Sequence, residues 1–258
     1  MCWESICGSC SWRFLFGNPE ENHRDSFNFY EIRRYRGEFD ADYEDENGKI
    51  IYRPASKYFL ALGDSLTEGY YDMGREFHPF TEQLGQLLRK NGYGSIGIVN
   101  RGISGEKTDQ MIERLQNTLR YSPVKYDFVS ILGGTNDLGY AAETVESIYS
   151  RLETLYNAVL STKAKLIVVT IPVTSFDKET PDYQQKKNEI NARILRFYEE
   201  KKGSGRVELI DLYHLIPYDE SAGDGQGSSL WDDELHLSPA GYDKLGEFVY
   251  EKLLLLLK

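Results

Sequence analysis

One serine and one histidine of this sequence have neighbours that suit acyl-transfer chemistry. Ser65 lies in the run GDSLT at residues 63–67, and His236 follows Asp233 by three residues. A serine hydroxyl is a weak nucleophile at neutral pH and needs an adjacent base, a role that histidine can fill. A carboxylate that reaches the imidazole would hold its tautomer and stabilise the imidazolium. We therefore predict Ser65 as the nucleophile, His236 as its base and Asp233 as the group that orients the base.

The chain has four histidines, and the other three suit this role less well. His23 lies in an irregular tail, His78 is near the start of a predicted helix, and His214 is in a loop. Only His236 combines an acidic residue three positions earlier with a helix cap directly after it. Residues 232–234 are all acidic, and only the spacing favours Asp233 among them.

The elements that would position these residues alternate regularly from residue 57 onward. Short apolar runs typical of buried strands are separated by segments whose apolar residues recur with helical spacing. Ser238 and Pro239 are a suitable N-cap and first residue for the last helix. Such alternation predicts an α/β fold, with a five-stranded parallel sheet covered by helices on both faces. The predicted strands are Tyr58–Leu62, Ile96–Val99, Phe128–Leu132, Leu166–Ile171 and Val207–Ile210.

Polar and glycine residues follow several of these predicted strands. The segments are 63–67 after the first strand, 100–105 after the second, 133–137 after the third and 232–236 beyond the fifth. Each could separately be a helix cap or a tight turn. Because ligands bind at the carboxyl ends of parallel strands, their joint occurrence indicates an active site at that edge of the sheet.

These four segments resemble the blocks of the SGNH, or GDSL, hydrolase superfamily. The matching residues are GDSL at 63–66, Ser104-Gly105, GTND at 134–137 and Asp233 with His236, in the family's order. The resemblance covers roughly residues 57–258 and implies a three-layer α/β/α sandwich of flavodoxin-like type. It also implies an ester hydrolase with the triad Ser65, Asp233 and His236, and an oxyanion hole formed by the N–H groups of Ser65 and Gly105 with the Asn136 amide. It implies neither a metal nor an organic cofactor.

Residues 1–56 lie outside the resemblance, and we interpret them as an N-terminal extension. Asn47-Gly48 predicts a hairpin turn between 39–43 and 50–52, so the extension is expected to contain β-structure packed on the main domain. The three cysteines, Cys2, Cys7 and Cys10, all fall in this extension, and a CxxC without a second ligand pair favours no particular role. The glycine-rich segment 221–229 is expected to be a mobile loop.

Composition limits the partners of this chain. The formal net charge is −11 among 258 residues, which disfavours binding to nucleic-acid phosphates and to anionic membranes. The N-terminus lacks the basic start and apolar core of a signal peptide, and no run is long enough to span a bilayer. The default expectation is a cytoplasmic protein, and the sequence leaves its oligomeric state open.

The substrate is less well defined by the sequence than the reaction. Aromatic residues adjacent to the motifs could line an acyl pocket, stack on a sugar ring or simply pack. We expect a small or medium carboxylic ester, with an acetylated carbohydrate as the main alternative and a thioester or lysophospholipid after it. A catalytically inactive binding module on the same fold is a further alternative. The aromatics are Tyr70, Tyr71, Phe77, Tyr140, Phe176 and Trp231.

Overall fold

The computed structural model describes residues 40–44, 50–218 and 229–258. The strands are β1 (Asp40–Glu44), β2 (Ile50–Pro54), β3 (Lys57–Gly63), β4 (Tyr70–Tyr71), β5 (Glu76–Phe77), β6 (Ile96–Gly102), β7 (Phe128–Leu132), β8 (Lys165–Val169) and β9 (Val207–Ile210). The helices are α1 (Ser65–Glu68), α2 (Phe80–Lys90), α3 (Thr108–Tyr121), α4 (Thr135–Leu138), α5 (Val145–Leu160), α6 (Phe176–Glu179), α7 (Pro181–Lys201), α8 (Leu212–Leu215) and α9 (Pro239–Leu257).

Five of the strands form the parallel sheet that the sequence predicts. Their order is β6-β3-β7-β8-β9, so β3 lies between β6 and β7. Successive residues of β3 are buried on opposite faces: Leu60 and Leu62 join one hydrophobic cluster, and Phe59 and Ala61 join the other. Because both faces of the sheet are covered, the α/β/α sandwich expected from the sequence is confirmed.

The long helices divide between the two faces according to their apolar stripes. Helices α3, α5 and α7 pack on the face of Leu60, through residues such as Met111, Leu152 and Ile194. Helices α2 and α9 pack on the opposite face, through residues such as Leu84 and Leu245. These are the helix faces that the 3.6-residue periodicity predicts.

Two strand ends differ from the predicted ones by two residues or more, and each of these differences has a local cause. Strand β6 continues through Gly102, whereas its predicted end is Val99, because Asn100 and the next two residues keep pairing with β3. Strand β8 ends at Val169, whereas its predicted end is Ile171. There the Asn191 side chain of α7 accepts from the N–H and donates to the carbonyl of Ile171, which replaces the sheet ladder.

The N-terminal part contains an antiparallel pair, β1 with β2, in which Asp40 lies opposite Pro54 and Glu44 opposite Ile50. The strands of the predicted hairpin are therefore observed, and its turn at 47–48 lies outside the described residues, as do Cys2, Cys7 and Cys10. Most of the segment 221–229 also lies outside them. Among the described residues, none of the helices has the length and apolar character needed to cross a membrane.

Candidate active site

Ser65 stands at a sharp turn between β3 and α1. Gly63 ends the strand, where a Cβ atom would lie 2.1 Å from Thr67 Oγ1 and 2.4 Å from the Leu132 carbonyl oxygen, so only glycine fits. Asp64 is the N-cap of α1, and its Oδ1 accepts a hydrogen bond of 3.0 Å from the N–H of Leu66. Ser65 is consequently the first residue of a helix at the carboxyl edge of the sheet.

Ser65, His236 and Asp233 lie in one hydrogen-bonded row. Ser65 Oγ is 3.1 Å from His236 Nε2, and His236 Nδ1 is 2.8 Å from Asp233 Oδ2. The other oxygen, Asp233 Oδ1, accepts hydrogen bonds from the backbone N–H groups of Leu235 and His236 at 2.7 and 2.6 Å. Ser65 and His236 are buried. With Nδ1–H donated to the carboxylate, Nε2 is left as the base toward the serine hydroxyl.

The residues before α9 form a closed loop that carries Asp233 and His236. Trp231 pairs with Leu237 as an antiparallel bridge, and the N–H of Asp232 donates to the carbonyl of His236 at 2.8 Å. We call residues 231–237 the histidine loop. Because its two ends are joined by backbone hydrogen bonds, the positions of the carboxylate and the imidazole are set together.

The adjacent acids of the histidine loop have different partners. Asp232 Oδ2 accepts from the backbone N–H of Asp72 at 2.8 Å, while Asp233 contacts His236. Burial raises the pKa of Asp232 above its ordinary value. Burial acts in the same direction on Asp233, but the hydrogen bonds and charge of His236 outweigh it, so the pKa of Asp233 lies below its ordinary value. The carboxylate beside the imidazole is therefore held in its charged form.

The residues assigned to the oxyanion hole carry hydrogen-bond donors on three segments that follow neighbouring strands. The N–H of Ser65, as first residue of α1, has no acceptor within its helix. Gly105 has a left-handed backbone (φ +78°), a conformation that favours glycine, and a Cβ there would meet open space. Asn136 Nδ2 donates one N–H to the carbonyl of Glu106 at 2.9 Å, which leaves its second N–H for another acceptor.

Arg114 is not among the residues predicted from the sequence, and it joins the segments that carry these donors. Its guanidinium donates to the carbonyl of Arg101 at 2.6 Å, to the carbonyl of Gly63 at 3.1 Å and, through Nε, to Glu106 Oε1 at 2.7 Å. The Glu106 backbone carbonyl also accepts the hydrogen bond from the Asn136 amide. Arg114 therefore connects the ends of β3 and β6 with the residue that holds the Asn136 side chain. Arg114 lies in an amphipathic helix, and nothing in the neighbouring sequence indicates that its side chain connects these segments.

Further polar contacts fix the same loops. Glu68 Oε2 accepts from both the N–H and the hydroxyl of Ser104, at 2.8 and 2.5 Å, next to Gly105. Asp137 accepts from the N–H and hydroxyl of Thr108, which ties α4 to the start of α3. Charged and hydroxyl groups adjacent to each motif therefore hold the backbone that presents the donors.

Asp64 is fully buried next to Ser65, and burial raises its pKa to about 7. Its Oδ1 caps α1, whereas its Oδ2 has no hydrogen-bond partner among the described residues. An unpaired buried charge is costly, so below about pH 7 the neutral form of this carboxyl is favoured in the folded protein.

The six aromatic residues named as candidate ligand contacts have different surroundings. The Tyr70 ring stacks on the imidazole of His236, with centroids 4.3 Å apart. Trp231 is buried and donates its indole N–H to the carbonyl of Pro217, so it is a packing residue. Tyr71 and Phe176 pack against the two hydrophobic clusters. Phe77 and Tyr140 are exposed.

A comparison with protein-family models finds a match over most of the chain. A family model described as GDSL-like Lipase/Acylhydrolase matches residues 61–244. The comparison with curated protein sequences finds no match.

Several solved structures share the fold. A lipase/acylhydrolase from Enterococcus faecalis is 23% identical, with 76% of this chain and 95% of that chain covered and a TM-score of 0.61. A carbohydrate acetylesterase family member from Sinorhizobium meliloti is 17% identical, with 78% and 99% covered and a TM-score of 0.60. A variant of an acetyl-xylooligosaccharide esterase from Geobacillus is 20% identical, with 77% and 94% covered and a TM-score of 0.57. Because the family model spans most of the sequence, this chain belongs to the GDSL-like lipase/acylhydrolase family.

Proposed function

We propose that this protein is a serine esterase that cleaves carboxylic esters through an acyl-enzyme formed on Ser65. The observation that carries the proposal is the unbroken hydrogen-bonded row from Ser65 Oγ through His236 to Asp233. A nucleophile, a base and an orienting carboxylate in that order are the arrangement that activates a serine hydroxyl.

In the first half-reaction, Ser65 Oγ attacks the ester carbonyl carbon while His236 Nε2 takes the hydroxyl proton. The N–H groups of Ser65 and Gly105 and the Asn136 amide stabilise the oxyanion of the tetrahedral intermediate. As that intermediate collapses, the bond to the alcohol oxygen breaks and His236 gives its proton to the leaving alcohol. Asp233 stabilises the imidazolium during both transfers.

In the second half-reaction, water replaces the alcohol. His236 takes a proton from the water, whose oxygen attacks the acyl-enzyme carbonyl. Collapse of the second intermediate breaks the bond to Ser65 Oγ, and His236 returns the proton to the serine. The products are one carboxylic acid and one alcohol, and the enzyme is regenerated.

The proposed substrate is a small or medium carboxylic ester, and an acetylated carbohydrate is the second candidate. The family description supports acyl-ester chemistry in general. The structural likeness to a carbohydrate acetylesterase family member and to an acetyl-xylooligosaccharide esterase favours the second candidate over a thioester or lysophospholipid.

Labelling with a fluorophosphonate probe, followed by peptide mapping, tests the proposal directly. We expect the probe to modify Ser65, and Ser65→Ala to lose both labelling and hydrolysis of p-nitrophenyl acetate because the proposed acyl-enzyme forms on the Ser65 hydroxyl. Ser150→Ala, which changes an exposed serine of α5, is the matched control and is expected to retain both. A wild-type protein that neither labels nor turns over would instead be a binding module.

A further inference from the structure

The short hairpin of β4 and β5, residues 70–77, extends an aromatic surface outward from His236. The Tyr70 ring covers the imidazole, with centroids 4.3 Å apart and planes inclined at 36°. Phe77, which pairs with Tyr70 across the hairpin, packs edge-on against that ring with centroids 6.1 Å apart. Phe77 is 48% exposed, so the two rings lead from the base to solvent.

The hairpin is fixed to its surroundings at several points. The N–H of Asp72 donates to Asp232 Oδ2 of the histidine loop at 2.8 Å. The buried Tyr242 hydroxyl donates to the carbonyl of Tyr70, also at 2.8 Å. These bonds place the Tyr70 ring relative to both the histidine loop and α9.

The turn of the hairpin has a backbone that few residues adopt. Asp72 and Met73 have φ of +48° and +55°, and Gly74 follows with φ +76°. A Cβ on Gly74 would lie 2.6 Å from the Tyr70 ring, so the turn packs directly on that ring. Non-glycine residues in this region carry a cost that surrounding contacts must offset, and such strain is concentrated at functional sites.

The proton transfer of the proposed reaction indicates which part of the ester lies next to the Tyr70 and Phe77 rings. His236 Nε2 must deliver its proton to the leaving oxygen, so the leaving alcohol has to lie beside the imidazole. The carbonyl oxygen points toward the donors of Gly105 and Asn136, and the acyl chain leaves in the remaining direction. A ring stacked on the imidazole therefore flanks the alcohol portion of the ester.

We propose that Tyr70 and Phe77 form the subsite for the alcohol portion of the substrate, and that this alcohol is neutral and carries a ring with an apolar face. The inference rests on the proposed function and specifies its substrate class. Saturated and sugar rings present C–H groups that pack well on aromatic faces.

Charge around the hairpin supports a neutral alcohol. Among the described residues, the carboxylates of Asp72, Glu76 and Asp232 all lie close enough to Tyr71 to act on its hydroxyl group, and the guanidinium of Arg75 lies 3.6 Å from Asp72. This surplus of negative charge disfavours an alcohol that carries a phosphate group.

Two ester series measured by pH-stat titration test the subsite. In the first series the acyl group is always acetyl, and the alcohol changes from ethanol to cyclohexylmethanol. In the second the alcohol is always methanol, and the acyl group changes from acetyl to hexanoyl. We expect Phe77→Ala to lower kcat/KM for cyclohexylmethyl acetate about 3- to 10-fold relative to ethyl acetate, mainly through KM, because one ring contact is lost. The ratio within the acyl series should not move.

Phe77→Tyr, which keeps the ring, should retain the wild-type ratio. Tyr121→Ala removes an aromatic side chain that is 58% exposed on α3, and serves as the matched control. Phe77→Ala could turn over both series and keep the wild-type ratio of kcat/KM between cyclohexylmethyl acetate and ethyl acetate, or it could change only the ratio within the acyl series. Either result would overturn the subsite while leaving the esterase proposal intact. A wild-type protein without turnover on any ester would overturn both.

Discussion

At the scale of single residues, Asp233 and Asp232 of the histidine loop have the same side chain but bind different partners. Asp233 binds the imidazole through one oxygen and two backbone N–H groups through the other. Asp232 binds the N–H of Asp72 in the hairpin. Only the first can hold the His236 tautomer that the proposed mechanism needs, whereas the second holds the hairpin in place.

Asp233→Asn and Asp232→Asn form a matched pair for testing this difference. Asp233→Asn should lower kcat on the order of 10⁴-fold, because an amide no longer enforces the tautomer or stabilises the imidazolium. Asp232→Asn keeps an oxygen that can accept from Asp72 and should lower kcat less than about tenfold. Steady-state kinetics on p-nitrophenyl acetate measure both. If the larger loss belonged to Asp232, the orienting residue would be wrongly assigned.

Asp64 leads to a prediction about stability rather than turnover. Its pKa is about 7 in the folded protein and near 3.8 for an ordinary aspartate. Between these values the folded state holds a proton that the unfolded state has lost, so the free energy of unfolding falls as pH rises through this window. The contribution is about 1.4 kcal/mol per pH unit at most.

Asp64→Asn removes this titration and keeps an oxygen for the Leu66 N–H. The free energy of unfolding, measured in urea, should therefore fall less between pH 5 and pH 7 for the variant than for the wild type. Equal decreases in the two proteins would mean that Asp64 is ionised in the folded state.

At the scale of elements, the segment between β8 and α7 contacts the histidine loop through a backbone hydrogen bond. The N–H of Ser175 donates to the carbonyl of Glu234 at 3.1 Å. Lys187 of α7, fully buried, donates to the carbonyl of Pro172 at 2.9 Å and forms an ion pair with Asp177. A buried cation thus joins α7 to the segment that contacts the histidine loop.

Lys187→Met should destabilise the protein by about 3–5 kcal/mol, because Asp177 would remain buried without its cation. Lys186→Met is the control on the same helix, and the ion pair of Lys186 with the exposed Asp182 should contribute at most about 1 kcal/mol. The double variant Lys187→Met/Asp177→Asn should regain much of the loss. Free energies of unfolding in urea measure all three. Similar losses for the two lysines would contradict a structural role of the buried pair.

At the scale of the whole molecule, the order of strands decides which segments meet. Strand β3 lies between β6 and β7, so Ser65 is flanked by the loops that carry Gly105 and Asn136. His236 comes from beyond β9, 171 residues later in the chain. Hydrophobic clusters on both faces hold the sheet, and polar contacts such as those of Arg114 hold the loops at its edge.

Much of this arrangement could be predicted from the sequence, because it depends on local patterns. Periodic apolar residues predict the five parallel strands and the long helices, and the turn residues after the strands predict the edge where a site forms. The motif GDSL at 63–66 and its partners then identify the family to which the chain belongs. The extra residues of β6 and the early end of β8 escaped prediction, since pairing with β3 and the side chain of Asn191 decide them through contacts that are distant in the sequence.

The choice of histidine shows what only the tertiary structure decided. Two stretches of this chain place an aspartate three residues before a histidine, and in both the Nδ1 to Oδ2 distance is 2.8 Å. His214 of the Asp211 pair is 70% exposed, whereas His236 is buried against Ser65. Local sequence sets the pairing of carboxylate and imidazole, because both partners share one turn. Which pair meets the serine depends on strand order and on the packing of the histidine loop, which are long-range properties of the fold.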